Sequence, residues 1–171
     1  MKVESHPSGN VWSVILVTAL KDELKKRDPF DSVEQEAMLA VMRTSDLLEN
    51  RMARLLRENG LTLTQYNVLR ILRGEGQPMP CLEVANRMIQ VAPAITRVVD
   101  QLLALDLITK TQASHDRRVF EIELTPSANK LLKKLDQPVL DLHAVLLSNV
   151  SKADLKSLIR ILEVVRAGVP E

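Results

Sequence analysis

Two Phe, one Trp and one Tyr are few aromatic rings for a chain of 171 residues. A core so short of rings must be filled by Leu, Val, Ile, Met and Ala, a mix that favours helices over a β-rich fold. Cysteine is scarcer still. The single Cys81 excludes an intrachain disulfide framework and fits a reducing cytosol. His6, His115 and His143 lie far apart with no second cysteine to join them, so no metal site within one chain is expected. The chain also lacks a glycine-rich phosphate loop, a nucleophile elbow and a paired catalytic constellation; neither an enzyme nor a cofactor is expected. The most apolar run, Val11 to Leu20, is shorter than the about 20 residues that cross a bilayer. KDELKKRDP follows it in place of a small-residue cleavage site, so neither a membrane span nor a secretory signal is expected, and the chain reads as cytoplasmic. Excess charge of one sign is missing too, since the net charge is +1.

What remains, at 46% hydrophobic and 26% charged, is an ordinary chain of one domain or two small ones. Residues 1–10 read as a loose arm, and Val11 to Leu20 as a helix or tucked segment packed on the body or on a second subunit. After the break at Asp28-Pro29, Ser32 and Gln35 form a capping box for a helix from Val33 to about Asn59, stopped by Gly60. Thr64 is read as the cap of a second helix over 65–73, with Tyr66, Leu69, Ile71 and Leu72 in the core. Residues 74–80 are read as a loop. Beyond Pro126 a long helical run reaches Leu147 with a kink or break expected near Pro138, and Ser151 caps a last helix with an apolar stripe through Leu155, Leu158, Ile159, Leu162 and Val165.

The stretch from Cys81 to Thr125 organises the rest. It reads as short helix, turn, second helix, strand, charged turn and strand, which is a helix-turn-helix followed by a β-wing. From Ile95 the positions Val98, Val99, Leu102, Leu103 and Leu105 repeat as the buried stripe of a helix. The opposite face collects Ala94, Thr96, Arg97, Asp100, Gln101 and Ala104. Such a face suits a major groove: Arg binds guanine bidentately, Gln binds adenine, and a Thr or Ala methyl touches thymine. The strands span Leu107 to Thr111 and Val119 to Leu124, and the turn between them carries Arg117 and Arg118 near its tip. An exposed arginine pair can enter a narrow minor groove, and Lys110 can meet phosphate. Thr125 and Pro126 then open the next helix as N-cap and first residue. Over residues 81–125 acids outnumber bases by one, so binding must depend on where the arginines point rather than on a basic field.

The runs A-N-R-M, I-T-R-V-V-D-Q-L-L-A-L-D-L-I and D-R-R-V-F-E-I-E-L-T-P resemble the winged helix-turn-helix of the MarR family of bacterial transcription regulators. The resemblance extends over roughly residues 33 to 167 and includes Gln65-Tyr66-Asn67-Val68-Leu69. The chain departs from the family's glycines, with Ile89-Gln90 before the recognition helix, Asp106 after it and Ala128 beyond the wing. The resemblance implies a mainly α fold with a small β-wing, in which helices from both chain ends build a dimerisation layer. The corresponding division is an N-terminal extension (1–31), a dimerisation helix (32–60), a DNA-binding lobe (61–125) and C-terminal dimerisation helices (126–171). It further implies a homodimeric, ligand-responsive repressor on a pseudo-palindromic double-stranded operator, with no membrane partner. Ala94, Thr96, Arg97, Gln101, Lys110, Arg117 and Arg118 would contact DNA, while Asp100 and Asp116 would position the wing, Asp100 through a salt bridge to Arg118. A small, often aromatic, anionic effector is the implied ligand, and no residue of its site is named. Two other readings stay open at this point: an interaction dimer that has lost DNA, and a thiol redox sensor using Cys81.

Overall fold

The computed structural model describes residues 18–89, 95–113 and 118–170, and within them the chain is mainly helical with one small antiparallel sheet. It divides into two compact units, residues 1–46 and 47–171.

The first unit contains helix α1 (Leu20–Glu23) and the N-terminal part of α2 (Val33–Arg57). Ser32 Oγ accepts the Gln35 N–H at 3.1 Å, as a cap should. The return bond differs from the expected box: Gln35 Oε1 accepts from the N–H of Asp31, at 2.9 Å, and not from that of Ser32. Glu23 is tied to Arg43 at 2.8 Å. Val33, Met38, Val41 and Met42 are exposed along this part of α2.

In the second unit α2 ends with Leu56 fully buried, and Gly60 turns the chain at φ +76, a left-handed conformation suited to a residue without Cβ. The cap of α3 (Leu63–Glu75) is Thr62, not Thr64. Its Oγ1 accepts the Gln65 N–H at 3.2 Å while Gln65 Oε1 accepts the Thr62 N–H at 2.9 Å. Tyr66, Leu69 and Leu72 are buried as expected, whereas Ile71 is only half-buried.

Residues 74–80 are not a loop throughout. α3 continues to Glu75, and Met79–Pro80 form strand β1, followed at once by α4 (Cys81–Asn86). α5 (Ile95–Ala104) leads to β2 (Ile108–Gln112) and β3 (Phe120–Leu124). The sheet order is β1-β3-β2, with Met79 opposite Ile122 and Ile108 opposite Leu124. Pro80 is tolerated because β1 is an edge strand, where a missing N–H removes no ladder bond from the interior.

α6 (Pro126–Leu146) opens with Thr125 as N-cap and Pro126 in its first turn. The helix continues through Pro138, so of the kink or break expected there, no break occurs. Proline removes one rung of the ladder, but Leu135 and Val139 on either side are buried and hold the segment to the core. α7 (Lys152–Ala167) is capped by Ser151, whose Oγ accepts the Asp154 N–H at 3.1 Å. The core of this unit joins Leu56, Leu61, Val68, Leu69, Val84, Val99, Leu102, Ile122, Leu132 and Leu135. It is almost wholly aliphatic, as the shortage of rings requires.

Candidate nucleic-acid interface

Helix α5 is pinned by one side only. Val99 and Leu102 are buried, and Ile95, Val98 and Leu103 are half-buried. Thr96, Arg97, Asp100, Gln101 and Ala104 are exposed, as the helical spacing requires. Leu105 is a correction. It is 50% exposed because the helix has ended and Asp106 turns the chain into the left-handed region at φ +53. The stripe therefore continues with Leu107, which is buried.

The turn at Asp106 is fastened to the start of α6. Thr125 Oγ1 donates to the Asp106 carbonyl at 2.8 Å and accepts the Ala128 N–H at 3.1 Å. The Thr125 N–H donates to the Leu107 carbonyl at 3.1 Å. Thr125 itself is 6% exposed, so these groups depend on one another and hardly on water.

The wing meets α5 across a cleft of about 340 Å³. Thr96 from α5, Lys110 from β2 and Arg118 at the foot of β3 all line it, along with Cys81 and Phe120. Three of the sequence-selected residues are thus brought to one place. Lys110 Nζ sits 4.9 Å from the centre of the Phe120 ring, a cation–π contact that holds the ammonium over the wing. Arg97 and Gln101 lie on the exposed face of α5 and are not among the residues lining the cleft. Ala94, Asp116 and Arg117 fall outside the described residues. The bridge expected between Asp100 and Arg118 is not among the ion pairs found between described residues. Asp100 stands on the exposed face of α5, one turn beyond Thr96, the helix residue that shares the cleft with Arg118.

Two positioning features were not named from sequence. Arg87, just after α4, donates to Glu75 at the end of α3 (2.7 Å) and to Glu83 (2.9 Å). Hydrogen bonds from Arg87 and then Gln77 hold the Glu75 carboxyl below its ordinary range. The second is Gln65, 6% exposed, whose Nε2 donates to Gln101 Oε1 at 3.3 Å. The Thr62-x-x-Gln65 spacing was the signal that could have singled it out.

Cys81 opens α4 and is half-buried. Burial pushes its thiol up, against a smaller lowering by Lys110. A redox-active thiol needs the opposite shift.

A second cavity, of about 770 Å³, lies among α2, α3 and α6, lined by Leu48, Met52, Tyr66, Arg70, Arg73, Asp136, Val139 and His143. Arg73 makes a two-pronged ion pair with Asp136, and Arg70 reaches the same carboxylate at 3.4 Å. The Arg73 hydrogen bonds, with Arg70 nearby, hold the Asp136 carboxyl below its ordinary value of 3.8. Burial raises the Tyr66 phenol, keeping it neutral.

The MarR family model matches residues 61–120, the stretch from the start of α3 to the first residue of β3. A crystal structure of a MarR transcription factor from Planctomyces limnophilus is 37% identical, with 80% of this chain and 99% of that one covered at a TM-score of 0.62. The chain belongs to the MarR family. It is a winged helix-turn-helix transcriptional regulator, with α4 and α5 as the helix-turn-helix and β2–β3 as the DNA-binding family's wing. The uncharacterized HTH-type transcriptional regulator YpoP of Bacillus subtilis is 31% identical over 77 residues, which are 45% of this MarR-family chain but only 54% of that relative. The S. aureus MepR–DNA complex has the same fold at 18% identity and a TM-score of 0.70, with 77% of this chain and 97% of that one covered.

Proposed function

We propose that this MarR-family regulator represses transcription in the cytoplasm as a homodimer on a pseudo-palindromic operator. One observation carries the reading. The exposed polar face of α5, with Arg97 at its centre, stands beside a cleft from which Lys110 and Arg118 also emerge. α5 enters the major groove with Thr96, Arg97, Gln101 and Ala94 at base edges. Arg118, with Arg117, reaches the minor groove, and Lys110 meets phosphate. The structure of a relative with DNA bound supports this use of the fold. Dimerisation is supported by α7, which has no buried residue and exposes Leu158, Ile159, Ile161, Val164 and Val165. Pairing two copies covers such a face and places two recognition helices about one DNA turn apart, roughly 34–36 Å. In domain terms, residues 32–60 and 126–171 form the dimerisation layer around the DNA-binding lobe of 61–125, with 1–31 an extension.

The 770 Å³ cavity is the place for the effector. Its apolar Leu48, Met52 and Val139 suit the apolar or aromatic body of a small ligand, and Arg70 and Arg73, balanced by Asp136 and Glu49, offer N–H donors to an anionic group. The effector acts by favouring one spacing of the two lobes.

Selection from genomic DNA by the purified protein, followed by footprinting of Arg97→Ala, tests the reading. A bidentate Arg–guanine contact is worth about 1–3 kcal/mol of discrimination, so the variant should lose roughly 5- to 150-fold in specific affinity while sedimenting as the same dimer. Wild-type protein that selects no sequence, or an unchanged footprint with the variant, would refute it.

A further inference from the structure

We propose that buried Gln65 sets which end of the Gln101 carboxamide faces DNA, so that Gln101 presents a donor to base edges and cannot make the bidentate contact to adenine. The inference rests on the reading that α5 lies in the major groove. Its starting point is a backbone group with no freedom: the Thr62 N–H can only donate. Gln65 Oε1 accepts from it at 2.9 Å, completing the cap of α3. That fixes the other terminus of the Gln65 amide, the NH2, which reaches across to Gln101 at 3.3 Å. An NH2 group has no lone pair to accept with, so the atom that meets it must be an oxygen. Gln101 Oε1 is therefore turned toward α3, and its own NH2 points away from Gln65.

One backbone N–H thus orients two amides in series. Reversing both would set donor against donor beside a residue only 6% exposed. An unsatisfied buried donor is too costly for that arrangement to compete. The consequence concerns specificity. A glutamine that binds adenine bidentately must accept from N6 with its oxygen and donate to N7 with its nitrogen. Here the oxygen is engaged by Gln65, and the end left for the groove is a donor. Its partners are guanine O6 and N7 or thymine O4; adenine offers N7 alone beside its N6 donor, so the bidentate adenine contact, the usual assignment for an exposed glutamine on such a helix, is lost and adenine is disfavoured.

The test is selection from random duplexes by the full-length wild type, Gln65→Glu, Gln101→Ala and the double variant. Glutamate at 65 still accepts the Thr62 N–H, since Glu and Gln serve alike in a capping box. It has no proton to donate, so Gln101 turns its NH2 inward and its oxygen outward. At one position per half-site the wild type should prefer G or T, and Gln65→Glu should prefer A or C, a change in relative affinity of about tenfold. Gln101→Ala should show no preference there, and the double variant should match it. The proposal is overturned if Gln65→Glu keeps the wild-type preference, if the wild type prefers A at that position, or if Gln101→Ala alters no position. In those cases the operator reading stands. If the wild type selects no sequence, both fall. Independently of DNA and of any variant's folding, the Gln65 side-chain NH2 in the free wild-type protein should exchange with water more slowly than a surface glutamine. Fast exchange would overturn the proposal by itself.

Discussion

Replacing Thr125 with valine removes a hydroxyl while keeping the shape of the side chain, at the junction between the recognition helix, the wing and α6. Two bonds vanish together. The Ala128 N–H loses its cap at 3.1 Å, and the Asp106 carbonyl loses a donor at 2.8 Å. Loss of an N-cap costs about 0.5–2 kcal/mol. A buried carbonyl left unpaired adds about 1–3 kcal/mol, and the lower end applies because Asp106 itself is exposed. Together they predict a loss of about 2 kcal/mol, which for a chain of this size lowers the melting temperature by about 4–8 °C. Thr125→Ser keeps both bonds and loses only a methyl, so it should lie much nearer the wild type. The measurement is urea unfolding at one fixed protein concentration, since the apparent stability of any self-associating chain depends on it. If valine and serine variants were equally stable, the hydroxyl would have no part in joining these elements.

Asp106→Gly should stabilise the protein by about 1 kcal/mol, because a residue with Cβ at φ +53 is strained where glycine is not; a lower urea midpoint would contradict this. Asp136 has a depressed carboxyl pKa, so its stabilisation is complete above 3.8 and fades as pH falls through the lower, folded value. The gap in urea midpoint between wild type and Asp136→Asn should accordingly be flat from pH 7 to about pH 5 and narrow in stronger acid. Cys81, with its thiol raised by burial, should react with iodoacetamide at neutral pH more slowly than a free cysteine and accelerate as pH rises. Faster reaction than the free thiol would reopen a redox role.

The amphipathic face of α5 was legible because ten residues at helical spacing separate polar from apolar positions without ambiguity. Leu105 was misplaced by carrying that period one residue past the helix end, which Asp106 determines. The caps at Thr125 and Ser151 could be read because their partners lie three residues away. β1 could not, since two residues have no period, and its partner Ile122 lies 43 positions further on. Gln65 was hidden for the same reason: its polar partner is on another helix. At 62–64 the sequence offers two threonines, and only the position of Gln65 selects the first. Pro138 read as a break because local chemistry disfavours it, while the buried neighbours that override that preference are tertiary.

The edge strand Met79–Pro80 has a mechanical consequence for regulation. It leads directly into α4 and pairs with β3, so the wing is attached at its base to the polypeptide that begins the helix-turn-helix. The helix-turn-helix and the wing are thereby joined through backbone pairing as well as through the shared core, which fixes the distance between the two surfaces proposed to meet the duplex. A regulator made this way has few internal degrees of freedom to modulate. On the operator reading proposed above, a substitution that loosens this two-residue strand pairing would blur binding at every site alike rather than shift the choice among them.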